Sequence, residues 1–210
     1  MATTVIRNSD WIVAYEGGGH RYAAGDVAFT GDALTHVGGR YTGAADREID
    51  GRGFMVMPGL VNIHSHPASE PLNKGWNDEI GSPKLYNSSL YEIMPIFRPD
   101  AEGVQAAFRV ALCEALMSGV TTLVDLSVAH DGWIDLMAES GIRGVLGPMY
   151  RDARWYTDNG HVVKYEWDAA AGRRAMETAL GIVQAAERHP SGRLSGMVIP
   201  SQIDTCSAEL

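Results

Sequence analysis

His64 and His66 are the residues of this chain whose type and spacing best suit chemistry, because they stand two apart at the end of the apolar run Gly59-Leu60-Val61-Asn62-Ile63-His64. Side chains two apart on a strand project the same way, so both imidazoles would leave one face of a sheet at the strand's C-terminal end. Two such rings can share one divalent ion, and imidazole suits zinc, iron and nickel alike. The plainer reading is a pair of polar side chains hydrogen-bonded to the loops around a strand end. Spacing alone does not decide between the two.

Further candidates sit at the ends of other apolar runs. Asp125 comes at the end of Val120 to Leu126, where it would cap a loop or orient a neighbouring ligand. Arg151 follows the run Ile142 to Met149 and Gln202 follows Leu194 to Pro200, so both would face the same rim as the histidines and could contact a polar substrate. Glu70 and Trp76 come just after the histidine pair and could line an entrance, although a solvated carboxylate and a packed indole are their default roles. Among the other histidines only His130 follows a strand end. His20 and His36 lie in the N-terminal β-rich part, His161 follows Asn159-Gly160, and His189 ends a helix.

The elements that must position these side chains fall into two regions. Residues 1–57 hold short apolar runs (Trp11 to Tyr15, Val27 to Phe29, Leu34 to Val37, Phe54 to Met57) separated by Gly17-Gly18-Gly19, Gly31-Asp32, Gly38-Gly39 and Asp50-Gly51, a pattern of strands and hairpins. After Pro58, strand-like runs alternate with segments of helical period, which predicts βα units and a parallel sheet. The predicted strands are Gly59 to His64, Val120 to Leu126, Ile142 to Met149 and Leu194 to Pro200. A helix would start at Pro99-Asp100, carry Val104, Phe108, Ala111, Leu112, Ala115 and Leu116 on one face, and stop at Gly119. A second spans about His130 to Ser140 and stops at Gly141; a third opens at Asp168, with Met176, Leu180 and Val183 as its apolar stripe, and ends before His189-Pro190. Residues 67–98 fit neither period and exceed the usual βα loop, as a lid would. Trp76, Tyr86, Tyr91 and Phe97 argue that part of that loop packs.

Composition narrows the function classes. Of 210 residues, 45% are hydrophobic and 20% charged, so the chain can bury a core. The 17 Lys+Arg against 26 Asp+Glu give a net charge of -9 with no basic block, which argues against a nucleic-acid partner. Cys113 and Cys206 form neither a CxxC pair nor a disulfide framework, and Arg7 to Asp10 interrupt any signal-peptide core. No apolar stretch approaches the roughly 18 residues of a membrane span. A cytoplasmic protein with no membrane partner is expected. Thr205 or Ser207 would cap a new helix that the chain leaves within its first turn, so the 210 residues are read as an incomplete N-terminal part.

The Asp50-Gly51-Arg52-Gly53 turn, then Met57-Pro58-Gly59-Leu60-Val61-Asn62, then His64-Ser65-His66, resembles the first barrel strand of the amidohydrolase superfamily of metal-dependent hydrolases. The likeness is strongest to the branch holding guanine, cytosine and S-adenosylhomocysteine deaminases and the triazine chlorohydrolases. Ser118-Gly119-Val120-Thr121-Thr122-Leu123-Val124-Asp125 is similar to the family's second strand and Ser140-Gly141-Ile142-Arg143 to its third, so the resemblance covers nearly the whole chain. It implies an α/β fold: residues 1–57 as part of an N-terminal β-sandwich, and 58–210 as the first half, about four βα units, of a (β/α)8 TIM-like barrel, whose closed form needs about 250 residues.

The resemblance also implies one divalent ion, zinc or iron, held by His64 and His66 with two further histidines and an aspartate from later strands. Its acid and base residues would lie beyond Leu210, so no catalytic residue is assigned here. The implied reaction is hydrolysis of a carbon–nitrogen bond other than a peptide bond, by deamination or dechlorination of a small nitrogen heterocycle with metal-activated water. The full-length form is expected to be a homo-oligomer. The 210-residue chain alone is expected to be inactive, since two imidazoles fall short of the three protein ligands of a catalytic zinc. Two alternatives stay open: a non-catalytic half-barrel remnant that assembles with another chain through its open strand edges, and a structural zinc module, which lacks a Cys/His quartet.

Overall fold

The computed structural model describes residues 1–74, 99–158 and 162–210. The lid expected in the long connection therefore lies outside the described residues from position 75 on, with Trp76, Tyr86, Tyr91 and Phe97, and so does His161. The chain divides into two compact units, Met1–Gly59 and Leu60–Leu210.

In the first unit, β1 (Thr3–Glu16) and β2 (Gly19–Thr30) form a long antiparallel hairpin. Its turn carries Gly17 and Gly18 at φ of +61° and +82°, a region open to glycine and strained for other residues. β3 (Ala33–Val37) pairs with β2, while β4 (Arg47–Asp50) and β5 (Met55–Val56) both run parallel to β1. Val5, Ile12, Val27 and Ala28 are buried between them. The sequence pattern does not foretell β4, because all four of its residues are exposed. Its register beside Thr4–Arg7 is reinforced by the ion pair from Arg7 to Glu48 at 2.5 Å. Asp26 is also buried here. Burial pushes its carboxyl pKa up, but the backbone N–H groups of Asn8 and Tyr41 and the Arg7 guanidinium, all at 2.9 Å, hold it below the ordinary carboxylate value.

The second unit is a mixed α/β arrangement around a parallel sheet of order β12-β8-β7-β6, comprising β6 (Leu60–Ser65), β7 (Val120–Asp125), β8 (Arg143–Leu146) and β12 (Leu194–Gly196). The third and fourth expected strands are each broken in two. β9 (Met149–Tyr150) pairs with β13 (Ile199–Pro200) beyond the break, and Pro148 at that break has no N–H for the ladder. Between β9 and β12 lies an antiparallel hairpin that the sequence reading lacks, β10 (Ala153–Thr157) with β11 (Val163–Trp167). The Asn159-Gly160 dipeptide between aromatic runs is the signal that could have announced it.

The helices follow their capping chemistry. α1 (Glu70–Asn73) is a single turn. α2 (Ala101–Met117) opens on Asp100, whose carboxylate accepts from the Gly103 N–H at 2.8 Å, and is followed by Gly119 at φ +80°. α3 (Trp133–Ser140) stops at Gly141, φ +82°. α4 (Ala169–Glu187) opens on Asp168, which accepts from the Ala171 N–H at 2.8 Å. Its buried face is Gly172, Ala179 and Ala186 rather than the expected stripe, and Leu180 is 38% exposed. Phe108, Leu112, Leu123, Trp133, Met137, Ile142 and Leu146 form the core between helices and sheet.

The helix expected near the chain end does not form. Thr205 is fully buried and makes tertiary bonds instead: its carbonyl accepts from the Asp152 and Ala153 N–H groups (3.1 and 2.9 Å), and its N–H donates to the Gln202 carbonyl (3.0 Å). The Ser207 N–H donates to the Asp152 carboxylate at 2.8 Å. A capping-type residue has been taken up by the base of the β10–β11 hairpin.

Candidate metal and substrate site

His64 lies within β6 and His66 one residue past its end, and their Nε2 atoms are 3.2 Å apart. Two ligand nitrogens at zinc–imidazole distance, about 2.05 Å, with a tetrahedral angle between them would be about 3.3 Å apart. The pair therefore has the separation of two ligands on one ion, with ring centroids at 5.1 Å and planes crossing at 78°. The His66 Nδ1 lies 2.5 Å from the Leu126 carbonyl, an acceptor, which places the ring proton on Nδ1 and leaves the Nε2 lone pair directed at His64. His64 Nε2–H then donates to that lone pair, and a divalent ion between the two rings would require the His64 proton to be on Nδ1 instead. Among the described residues no group of three or more His, Cys, Asp or Glu side chains is arranged to hold a metal. The residues present fit two ligands of such an ion.

The backbone at His66 is tied on both sides. Its N–H donates to Glu70 Oε1 at 2.7 Å, the Ser65 hydroxyl donates to the same carboxylate at 3.2 Å, and the His66 carbonyl accepts from the Ser69 and Glu70 N–H groups, each at 2.9 Å. Glu70, an exposed residue at the start of α1, thus braces the strand end. That role was invisible to a reading by residue type, because its partner is a backbone amide. The Leu126 carbonyl was missed for the same reason.

Asp125 is fully buried and accepts from the Ser127 hydroxyl (2.5 Å) and the Trp133 indole Nε1–H (2.6 Å). Burial pushes its carboxyl up to about 7, against the pull of those two hydrogen bonds, and the nearby Glu70 charge adds to the rise. His130 stacks on Trp133 (centroids 5.3 Å, planes 26° apart) and meets Phe108 edge-on at 5.2 Å. Its Nε2 is buried without a hydrogen-bond partner among the described residues, and burial holds its pKa below the ordinary imidazole value. These contacts give His130 a packing role. His20 and His36 lie in β2 and β3, and His189 bonds Ser191 beyond α4.

A cleft of about 720 Å3 opens beside the pair, within the 300–1,000 Å3 usual for small-molecule sites. His66, Glu70, His130, Arg151 and Gln202 all line it, so the two rim residues read from the sequence come together with one of the two histidines. The Gln202 amide oxygen accepts from the Ser201 hydroxyl (2.8 Å) and the Thr205 hydroxyl (3.1 Å), which fixes the orientation of its amide. The β10 residues Arg154 and Trp155 add a guanidinium, ion-paired with Glu166 at 2.8 Å, and an aromatic wall.

No family model matches the chain. The chain nevertheless has relatives among known proteins and solved structures. Triazine hydrolase from Arthobacter aurescens superimposes with a TM-score of 0.70 at 22% identity, covering 100% of this chain and 49% of that one. Guanine deaminase from C. acetobutylicum with bound guanine gives 0.70 at 13% identity, with 99% and 48% covered. Atrazine chlorohydrolase from Arthrobacter aurescens complexed with zinc gives 0.65 at 21%, with 99% and 48% covered. The fold is thus the mixed α/β fold of amidohydrolase structures, as the sequence motifs implied. More particularly, the homologues of this chain are adenosine-derivative deaminases. The 5-methylthioadenosine/S-adenosylhomocysteine deaminase 2 of Archaeoglobus fulgidus is 31% identical over 210 residues, 100% of this chain and 45% of that protein. The 5'-deoxyadenosine deaminase of Methanosarcina mazei is 25% identical over 209 residues, 100% of this chain and 44% of that protein. The chain spans less than half the length of these relatives.

Proposed function

We propose that this chain is the metal-holding N-terminal part of a hydrolase that removes an amino group or a halide from a small nitrogen heterocycle, a reaction on carbon–nitrogen bonds other than peptide bonds in the deaminase case. The observation that carries the reading is the 3.2 Å separation of the His64 and His66 Nε2 atoms at the C-terminal end of a parallel strand. The deaminase homologues support the reaction class, and the zinc-complexed structural neighbour supports a divalent ion, zinc or iron. Under this reading β6, β7, β8 and β12 are the first strands of a (β/α)8 barrel, residues 1–57 contribute to a β-sandwich, and 58–210 are the first half of the barrel. A divalent ion bound there would supply an activated water as nucleophile.

The chain's own residues have distinct tasks in this scheme. His64 and His66 would offer their Nε2 lone pairs to one ion once the His64 proton sits on its Nδ1, and the Leu126 carbonyl keeps the His66 proton on the far nitrogen. Arg151 and the amide of Gln202, both in the lining of the cleft, would bind polar atoms of the ring, and Trp155, in the same lining, would stack on it. The substrate is a small molecule and no nucleic acid is invoked. No helix among the described residues is long and apolar enough to cross a membrane, and Cys113 and Cys206 are both free, in keeping with a cytoplasmic setting.

Zinc titration of the chain against a competing chelator tests this reading. Wild type should bind one equivalent. His64→Ala and His66→Ala should each weaken it by at least the ~10–100-fold that the loss of a mere supporting hydrogen bond costs in metal sites. Equal affinity in all three proteins would overturn the assignment.

A second reading has one observation in its favour. Among the described residues β6 stands at the edge of its sheet and carries Leu60, Val61 and Ile63 at 49%, 60% and 75% exposure. Such an edge can pair with another polypeptide or with a second copy, as a non-catalytic remnant or a homo-oligomer would.

A further inference from the structure

We infer that Pro67 and the buried cluster of Asp125, Ser127 and Trp133 form a positioning device that sets the tautomer and ring orientation of His66. Its purpose rests on the metal reading above, but its geometry does not.

The Leu126 N–H donates to the Ser65 carbonyl at 2.8 Å. In a parallel pair the next bond of the ladder would run from the N–H of residue 67 to the Leu126 carbonyl. Position 67 is a fully buried proline, which has no N–H. The Leu126 carbonyl is therefore released from the sheet, and the His66 Nδ1–H takes it at 2.5 Å. An ordinary residue at 67 would offer a competing donor to the same oxygen.

The carbonyl must also be aimed. On either side of Leu126, the Asp125 carbonyl accepts from the Gly147 N–H (2.8 Å) and the Ser127 carbonyl from the Met149 N–H (2.9 Å). The Asp125 side chain then spans the Leu126 peptide, accepting from the Ser127 hydroxyl at 2.5 Å on one oxygen and from the Trp133 indole at 2.6 Å on the other. Trp133 is itself 2% exposed and opens α3, so the turn after β7 is anchored to a core helix rather than to solvent. Asp125 thus acts on His66 through Leu126, as a positioning residue with no contact to the reacting atoms. The consequence is chemical. An imidazole in water prefers its proton on Nε2, whereas His66 is held with the proton on Nδ1 and a bare Nε2 facing His64 at 3.2 Å.

Nitrogen-15 NMR of histidine-labelled, metal-free 210-residue chain at pH 8 reads this directly. Wild-type His66 should show a protonated-type Nδ1 and a pyridine-type Nε2 resonance. Trp133→Phe, which removes the indole donor, and Pro67→Ala, which restores a backbone donor, should each move His66 toward the Nε2–H form. Asp125→Asn, whose amide oxygen still accepts from Trp133, should retain most of the wild-type pattern where Asp125→Ala does not. Leu194→Ala is the control: it opens the same core but removes none of the cluster's hydrogen bonds, so it should lower Tm and leave the His66 resonances alone. Wild-type His66 in the Nε2–H form, an unmoved pattern in both Trp133→Phe and Pro67→Ala, or an equal shift in Leu194→Ala would overturn the inference. Because no metal is present, a chain that shows the expected tautomer pattern yet fails to bind zinc supports the positioning device and counts against the metal reading alone.

Discussion

Two imidazoles two residues apart were legible in the sequence as candidate ligands because strand geometry fixes which side chains share a face. What surrounds them was not legible, since the groups that tie down His66 are a backbone carbonyl at Leu126, a missing donor at Pro67 and a carboxylate at Glu70 that binds a main-chain amide. Residue type says little about any of these. Glu70→Ala removes the protein acceptor of the His66 N–H and the Ser65 hydroxyl, which should cost about 0.5–1.5 kcal/mol in chemical denaturation. Glu70→Gln should recover part of that loss, since its amide oxygen can still accept. An unchanged midpoint in Glu70→Ala would show that the brace contributes nothing.

At the scale of elements, the helices were readable where a side chain caps them and obscure where packing decides. Asp100 and Asp168 each accept a bond from an N–H three residues on, and both helix starts were expected there. Asp100→Ala and Asp168→Ala should each cost about 1 kcal/mol, measured as a drop in Tm, while substitution of Glu187, an exposed residue at the far end of α4, should not lower Tm. α4 turned its small residues inward instead of its large ones, because Gly172 packs directly on Asp152 where no Cβ would fit. The same tertiary demand drew Thr205 away from a helix cap. β4 and β11 escaped the pattern reading because nearly all their residues are exposed and carry no period, and β10, its partner in the hairpin, is only five residues long.

At the scale of the whole molecule, a buried acid makes stability depend on pH in an unusual direction. The Asp125 carboxyl sits at about 7, above the ordinary carboxylate value of an unfolded chain. Between those limits the native state holds a proton that the unfolded state has released, so this contribution is full below pH ~4 and lost as pH rises through about 7. Its upper bound is on the order of 4 kcal/mol. His130 acts in the opposite sense, because burial keeps it neutral and acidification must charge it on unfolding. Comparing wild type with Asp125→Asn isolates the first effect: the stability of wild type relative to the variant should fall from pH 5 to pH 8, and a constant difference would contradict it.

The open edge at β6 has its own test, in which Val61→Lys should reduce concentration-dependent association of the chain in sedimentation velocity if that edge pairs with a second copy. One ion shared between the His64 and His66 rings is the central proposal, and X-ray absorption at the zinc K-edge on zinc-loaded protein tests it most directly. Nitrogen scatterers near 2.0 Å with the outer-shell pattern of two imidazoles, lost in the His64→Ala/His66→Ala double variant, are the expected result. A spectrum without imidazole scattering, or one that the double variant leaves unchanged, would contradict it.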